Sequence, residues 1–178
     1  MLIVITGTSG SGKDTLGRFL SEYGINKLVS YTTRPIRDGE IDGEDYHFVS
    51  EDEYDKLNKA NGVTYAGNFY SFSLEDVEAL SNSDVRKYSV VNKDGLDYFK
   101  KAIKSSRESV IHVHIKVSID EAAWRMRERG DSEESIQSRV DYYNSTEKEL
   151  IEELENSADY VLEGSLKAYK ELAEKLSV

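Results

Sequence analysis

Apolar residues in this chain recur with two periods that take turns along it. Leu2-Ile3-Val4-Ile5-Thr6 is a continuous apolar run ended by Gly7, which predicts a strand buried on both faces. Residues 13–23 follow with Leu16, Phe19 and Leu20 on one helical face and Gly24 as a stop. Strand-like runs return at Tyr88-Ser89-Val90-Val91, at Val110–Ile115 and at Asp159–Leu162. Between and after them the spacing predicts a helix near 94–105, one opened by a Ser118-x-x-Glu121 capping box and stopped by Gly130, a long one capped by Asp131 and running to about Asn156, and a last one from Leu166 to Leu176. Strands alternating with helices predict an α/β fold with a mainly parallel sheet. Residues 25–80 break the alternation. They are rich in Thr, Tyr, Asp and Gly, hold the only proline, Pro35, and carry short strand-like pieces such as Tyr46–Val49. A Ser50-x-x-Glu53 capping box then predicts a helix through about Lys59. This texture reads as a subdomain inserted at about 30–80, with the core at 1–29 and 81–178.

The chain has 178 residues, enough for one domain with one good core. No apolar run reaches the ~18 residues of a membrane span, and no secretory leader is visible. The absence of cysteine excludes disulfides and thiolate metal sites, and a cytoplasmic location is expected. A net charge of −11 argues against nucleic-acid or anionic-membrane partners, which need an extended basic surface. It also makes arginine placement informative: Arg34 and Arg37 sit together, and Arg125, Arg127, Arg129 and Arg139 form a second group. His112 and His114 alternate on one strand face with no further ligand nearby in sequence, which reads as structural, and Trp124 reads as packing.

The first strand runs directly into Gly7-Thr8-Ser9-Gly10-Ser11-Gly12-Lys13, a G-x-x-x-x-G-K loop that opens a helix. Glycines at 7, 10 and 12 let the backbone turn its N–H groups onto an anion, the helix dipole adds positive potential, and Lys13 adds a full charge near the β- and γ-phosphates of a nucleotide. A hydroxyl for the Mg²⁺ shell is expected after the lysine, and Asp14 stands there instead. Asp14 can supply an anionic oxygen to that shell, and Thr15 is a competing hydroxyl ligand.

From Ser30 to Val49 the chain reads Ser-Tyr-Thr-Thr-Arg-Pro-Ile-Arg-Asp-Gly-Glu-Ile-Asp-Gly-Glu-Asp-Tyr-His-Phe-Val, which closely resembles the guanylate kinases and their S-x-T-T-R-x-x-R-x-G-E-x-x-G-x-D-Y-x-F block. The resemblance continues through Asn68-Phe69-Tyr70, Arg125–Gly130, Glu133–Arg139, Asp159-Tyr160-Val161 and Lys167-Ala168-Tyr169. It implies a P-loop NTPase three-layer fold, a nucleoside-monophosphate-binding insert at about 30–80 and a mobile lid near 126–145. It also implies transfer of the γ-phosphoryl group of Mg²⁺-ATP to GMP or dGMP, in a monomer or homodimer. Carried over by position, Arg34, Arg37, Tyr46 and Tyr70 would hold the acceptor phosphate and Ser30 would face the base. Arg125 and Arg129, spaced for one helix face, would reach the phosphates with Arg139 as the lid closes. Arginine suits that task because its planar fork binds phosphate bidentately.

The chain departs from the family pattern near the base. Thr64 aligns with the family's guanine-binding glutamate, and Val90 and Asn92 align with its D-x-D carboxylates. The pair Asp14 and Val90 suggests a metal-shell carboxylate moved from strand to loop. Gly12-Lys13-Asp14 and Val91-Asn92 also resemble ribose 1,5-bisphosphate phosphokinases, which makes a sugar-phosphate kinase, or a kinase of altered base preference, the alternative. A non-enzymatic guanylate-kinase-like binding module is a third reading, against which the intact Gly7, Gly12 and Lys13 stand.

Overall fold

The computed structural model describes residues 1–65, 67–81, 85–103 and 110–177. In chain order the elements are β1 (Leu2–Thr6), α1 (Lys13–Glu22), β2 (Asn26–Lys27), β3 (Tyr31–Thr32), β4 (His47–Phe48), α2 (Glu51–Lys56), β5 (Lys59–Tyr65), β6 (Asn68–Ser73), α3 (Leu74–Ser81), β7 (Lys87–Val90), α4 (Lys93–Ala102), β8 (Val110–Lys116), α5 (Ile119–Glu128) and α6 (Glu133–Tyr142). A π-helical turn (Tyr143–Glu147), α7 (Lys148–Asn156), β9 (Tyr160–Glu163) and α8 (Leu166–Ser177) complete it.

β1 lies at the centre of a parallel sheet ordered β2-β7-β1-β8-β9, and its burial on both faces is what made it readable as a continuous apolar run. Ile3 and Ile5 point to one side, into a core closed by Leu16 and Leu20 of α1 and Leu172 and Leu176 of α8. Leu2 and Val4 point to the other, against Leu96 and Phe99 of α4, Leu154 of α7 and Phe72 of β6. Helices therefore cover both faces, and the loop after β1 emerges at the carboxyl edge of the sheet, where ligands bind in such folds. A second sheet, ordered β4-β3-β6-β5, occupies residues 31–73 and is antiparallel apart from the β3–β4 pair.

Several elements differ from the sequence expectation. The capping box at Ser50 forms, but its helix stops at Lys56 because Leu57 turns extended and Lys59 already belongs to β5. The β5–β6 hairpin and α3 carry no clear period in the sequence. A register shift between Ala60 and Val63, with Asn61 at φ 54°, breaks the alternation that would have marked the strand. Ser132, rather than Asp131, caps α6, and the expected long helix to Asn156 is divided by the π turn. Ser118 caps α5, while Glu121 turns from the box to Arg125. Ala122, Ala123 and Met126 take the inward face of α5, so Trp124 is 58 % exposed and does not pack. The helix expected at 94–105 runs from Lys93 to Ala102, and residues 104 and 105 lie outside the described residues.

Candidate active site

Gly7, Gly10 and Gly12 have positive φ, and no side chain would fit at Gly10 or Gly12: a Cβ would sit 2.5 Å from the Ala122 carbonyl oxygen or the Tyr169 hydroxyl. Close packing against α5 and α8 thus fixes the loop's path. Among the described residues, the amides of Gly10, Gly12, Lys13 and Asp14 donate to no protein acceptor, leaving a nest of N–H groups at the start of α1. Ser9 flanks the nest half-buried, and Ser11 Oγ is buried without a partner. The Lys13 ammonium folds over the loop and donates to the carbonyls of Gly7 (2.7 Å) and Thr8 (2.8 Å). Burial lowers its pKa, and the nearby carboxylates of Asp14 and Glu147 oppose that shift. Glu147, at the end of the π turn, accepts a hydrogen bond from the Thr8 hydroxyl at 2.7 Å and so ties this turn to the loop. π turns often re-aim a side chain at a functional site.

Arg125 departs from the expected role. Its guanidinium donates to the Ser11 carbonyl (3.0 Å), to the Gly164 carbonyl and to Glu121. Tyr169 adds its hydroxyl to the same Ser11 carbonyl at 2.8 Å. Carbonyls turn outward where amides turn in, so Arg125 braces the loop from its carbonyl side. Arg129, expected on the same helix face, follows the end of α5 and turns to Asp131 through two bonds of 3.0 and 2.6 Å. Arg139 shares that carboxylate at 3.5 Å, and the Arg129 hydrogen bond holds the Asp131 pKa below its ordinary value. The charges of Arg129 and Arg139 both act on Lys13. Arg127 is exposed and pairs with Glu133.

In the loop after β3, Arg34 is 9 % exposed and pairs with Glu40 through two parallel bonds of 3.0 and 2.7 Å. Glu40 also accepts the Arg37 backbone N–H at 2.8 Å, and although burial raises its pKa, these bonds leave it lowered. Arg34 stands 5.3 Å from the Tyr46 ring centre, and Tyr46 meets Tyr70 edge-on at 5.9 Å. Burial, with Asp14 next, pushes the Tyr46 phenol up to about 12, so it stays a proton donor. Arg37 is exposed, and its charge acts on both Glu40 and Asp131. Ser30 is half-buried just before β3, and its carbonyl accepts the His47 amide. Asp14 is exposed at the head of α1, and its charge acts on Lys13, Tyr46 and Lys27.

Of the acceptor residues expected from the sequence, Thr64 is not brought here and Asn92 is engaged as a helix cap. Thr64 pairs with Phe69 and Val63 with Tyr70, so Thr64 projects from the face opposite Tyr70 and is exposed. Asn92 spends its side-chain oxygen on the Gly95 amide as the cap of α4. For Mg²⁺ the residues fit a site completed by substrate phosphates, since Asp14, exposed in the first turn of α1 beside the loop, offers a hard carboxylate oxygen. Thr15 is less well placed, because its hydroxyl accepts from Arg18 at 3.3 Å. Glu40, Asp131, Glu147 and Lys27 are functional candidates that sequence reasoning missed; Glu40 alone had a signal, in the Gly39-Glu40 pair of the resembling block.

A glycine loop at the carboxyl edge of a central parallel strand, with a lysine at the head of the next helix, defines a P-loop phosphotransferase. A sequence model of the family described as guanylate kinase matches residues 1–177. The chain is 36 % identical over 146 residues to a guanylate kinase of Neisseria gonorrhoeae, covering 78 % of this chain and 70 % of that protein. It is 34 % identical over 157 residues to one from Prochlorococcus marinus, covering 84 % and 82 %. The crystal structure of guanylate kinase from Anaplasma phagocytophilum superposes with a TM-score of 0.67 at 25 % identity, covering 99 % of this chain and 82 % of that one. The chain belongs to the guanylate kinase family.

Proposed function

We propose that the loop Gly7–Thr15 binds the triphosphate of Mg²⁺-ATP and that Arg34, Arg37, Tyr46 and Tyr70 bind the phosphate of a nucleoside monophosphate placed in line with it. As a member of its family the chain is a phosphotransferase that moves the γ-phosphoryl group of ATP to GMP. The observations that support the site assignment are geometric: loop amides with no protein acceptor among the described residues gather at the carboxyl edge of β1, and Arg34, Tyr46 and Tyr70 cluster together beside the second sheet. Phosphoryl transfer asks a protein chiefly for alignment and for neutralisation of developing charge. Lys13 and the loop amides face the donor phosphates, Arg34 and the two phenols orient the acceptor oxygen, and Arg129 and Arg139 close from the α5–α6 side and exclude water. Asp14 would hold Mg²⁺, which neutralises phosphate charge when bound.

A second reading concerns the base. With Thr64 on the outer face and Asn92 capping a helix, neither residue supports recognition of the guanine N1–H and amine edge. Altered base preference, or a ribose bisphosphate acceptor, is therefore kept as the alternative, and 2′-deoxy acceptors are included with GMP. A cytoplasmic setting suits a cysteine-free, ATP-using chain in which no helix among the described residues is long and apolar enough to cross a membrane. The test is ADP release measured across all NMPs, all dNMPs and ribose 1,5-bisphosphate. GMP- or dGMP-selective turnover is expected, and turnover with the sugar phosphate alone would refute the nucleotide assignment.

A further inference from the structure

Lys27 lies on β2, a strand of the core sheet, and no motif in the sequence marks it. Its ammonium donates to the Asp45 carbonyl at 2.6 Å and stands 4.8 Å from the centre of the Tyr46 ring. Arg34 lies 5.3 Å from the centre of that same ring, so one phenol carries a cation from the core and a cation from the insert. Arg34 has a carboxylate partner in Glu40, but among the described residues Lys27 has none within ion-pair distance. Burial lowers its pKa, and the carboxylate it feels most is Asp14 of the donor loop, ahead of Asp45 and Glu40. A carbonyl is satisfied by any neutral donor, and an ammonium carries three N–H groups, of which one is used here. Holding a desolvated, unpaired cation beside an expected phosphate is costly unless an anion completes it.

We propose that Lys27 is a further acceptor-binding residue, whose ammonium takes one phosphate oxygen of the monophosphate while Arg34 takes another. This rests on the reading of Arg34, Tyr46 and Tyr70 as the acceptor phosphate site. One phosphate then bridges β2 of the core and the Arg34 loop of the insert, so its binding draws the acceptor half toward the donor loop.

The test compares Lys27→Met, Lys27→Arg and Arg34→Ala with the wild type. It measures KM for GMP and ATP and the inhibition constant of guanosine, which lacks the phosphate. One lost charge-assisted hydrogen bond predicts a GMP KM at least about tenfold higher in Lys27→Met. ATP KM and guanosine inhibition should stay near wild type, and Lys27→Arg should recover most of the GMP affinity. A tie that only holds Asp45 would instead weaken GMP and guanosine alike, which overturns the proposal. If Arg34→Ala leaves GMP affinity intact, the acceptor assignment itself fails. If Arg34→Ala weakens GMP and Lys27→Met does not, only the Lys27 role fails.

Discussion

Arg125 offers the sharpest separation between bracing the phosphate loop and binding a phosphate. Replacing it with Met keeps the apolar stem and removes three hydrogen bonds. The bond to Glu121 is worth little, because that carboxylate is 48 % exposed and screened. The bonds to the Ser11 and Gly164 carbonyls matter more, since both join segments distant in sequence and are partly buried. A charged donor on a carbonyl contributes about 1.5–3 kcal/mol. The Ser11 carbonyl keeps the Tyr169 hydroxyl and Gly164 can turn to water, so the net loss should be about 2–3 kcal/mol. In a domain of this size 1 kcal/mol shifts the melting temperature by about 2–4 °C, so Arg125→Met should melt about 5–10 °C lower. The assay is thermal unfolding of the nucleotide-free protein by circular dichroism, beside ATP and GMP titrations. ATP affinity should fall roughly tenfold as the loop loses its brace, and GMP affinity should hold. A phosphate-contacting arginine gives the reverse pattern. Free Arg125→Met melting within about 2 °C of wild type, while turnover collapses, would refute the bracing role.

Arg34→Ala should raise the GMP KM by about a hundredfold, the equivalent of about 3 kcal/mol of bidentate contact, with the ATP KM within about threefold; equal losses for both substrates would remove the acceptor assignment. Asp14→Asn keeps the shape of the side chain without its charge, so half-maximal turnover should need about tenfold more Mg²⁺, and free Mg²⁺ should compete less well for a Mn²⁺ paramagnetic probe in the ATP complex; unchanged metal dependence would exclude Asp14 from the shell. His112 and His114 are both lowered by burial, His114 to about 4, and both bond the Thr6 hydroxyl. Depressed histidines contribute stability above the unfolded pKa of 6.5 that is lost as pH falls through the folded value, so between pH 7 and about pH 4 wild type should lose about 2 kcal/mol more than His114→Gln in urea unfolding. Parallel loss in both proteins would show that the pair does not set the acid limit.

What the sequence disclosed was local in its causes. β1 and the glycine loop are contiguous, and each requirement there (burial on both faces, positive φ, a lysine heading α1) leaves its mark on adjacent residues. The block from Ser30 to Val49 likewise holds Arg34, Glu40 and Tyr46 within a few turns of chain. Arg125 shows the opposite case. Its i,i+4 spacing with Arg129 identified a helix face, but its partners, Ser11 and Gly164, are 114 and 39 residues away, and nothing local reveals what that face meets. Thr64 fails for a related reason: with a register shift between Ala60 and Val63, the face on which a β5 side chain emerges is set by pairing with β6. Lys27 is silent because a lysine on a two-residue strand has no period to read.

The carboxylates missed in the sequence share one arrangement, and it bears on how an acidic chain binds anions. Arg34 is held by Glu40, Arg129 and Arg139 by Asp131, and Lys13 lies in the field of Asp14 and Glu147. With a net charge of −11, such pairing keeps desolvated cations folded and oriented while no phosphate is present. A phosphate entering the cleft therefore competes with, or adds to, an existing carboxylate at each of these points, and its net gain there is smaller than for a free cation. Ligands that satisfy several of these points at once gain most, which favours two aligned phosphorylated substrates over any single small anion. Among the described residues Lys27, like Lys13, donates only to backbone carbonyls, and the acceptor phosphate is the anion proposed to complete it.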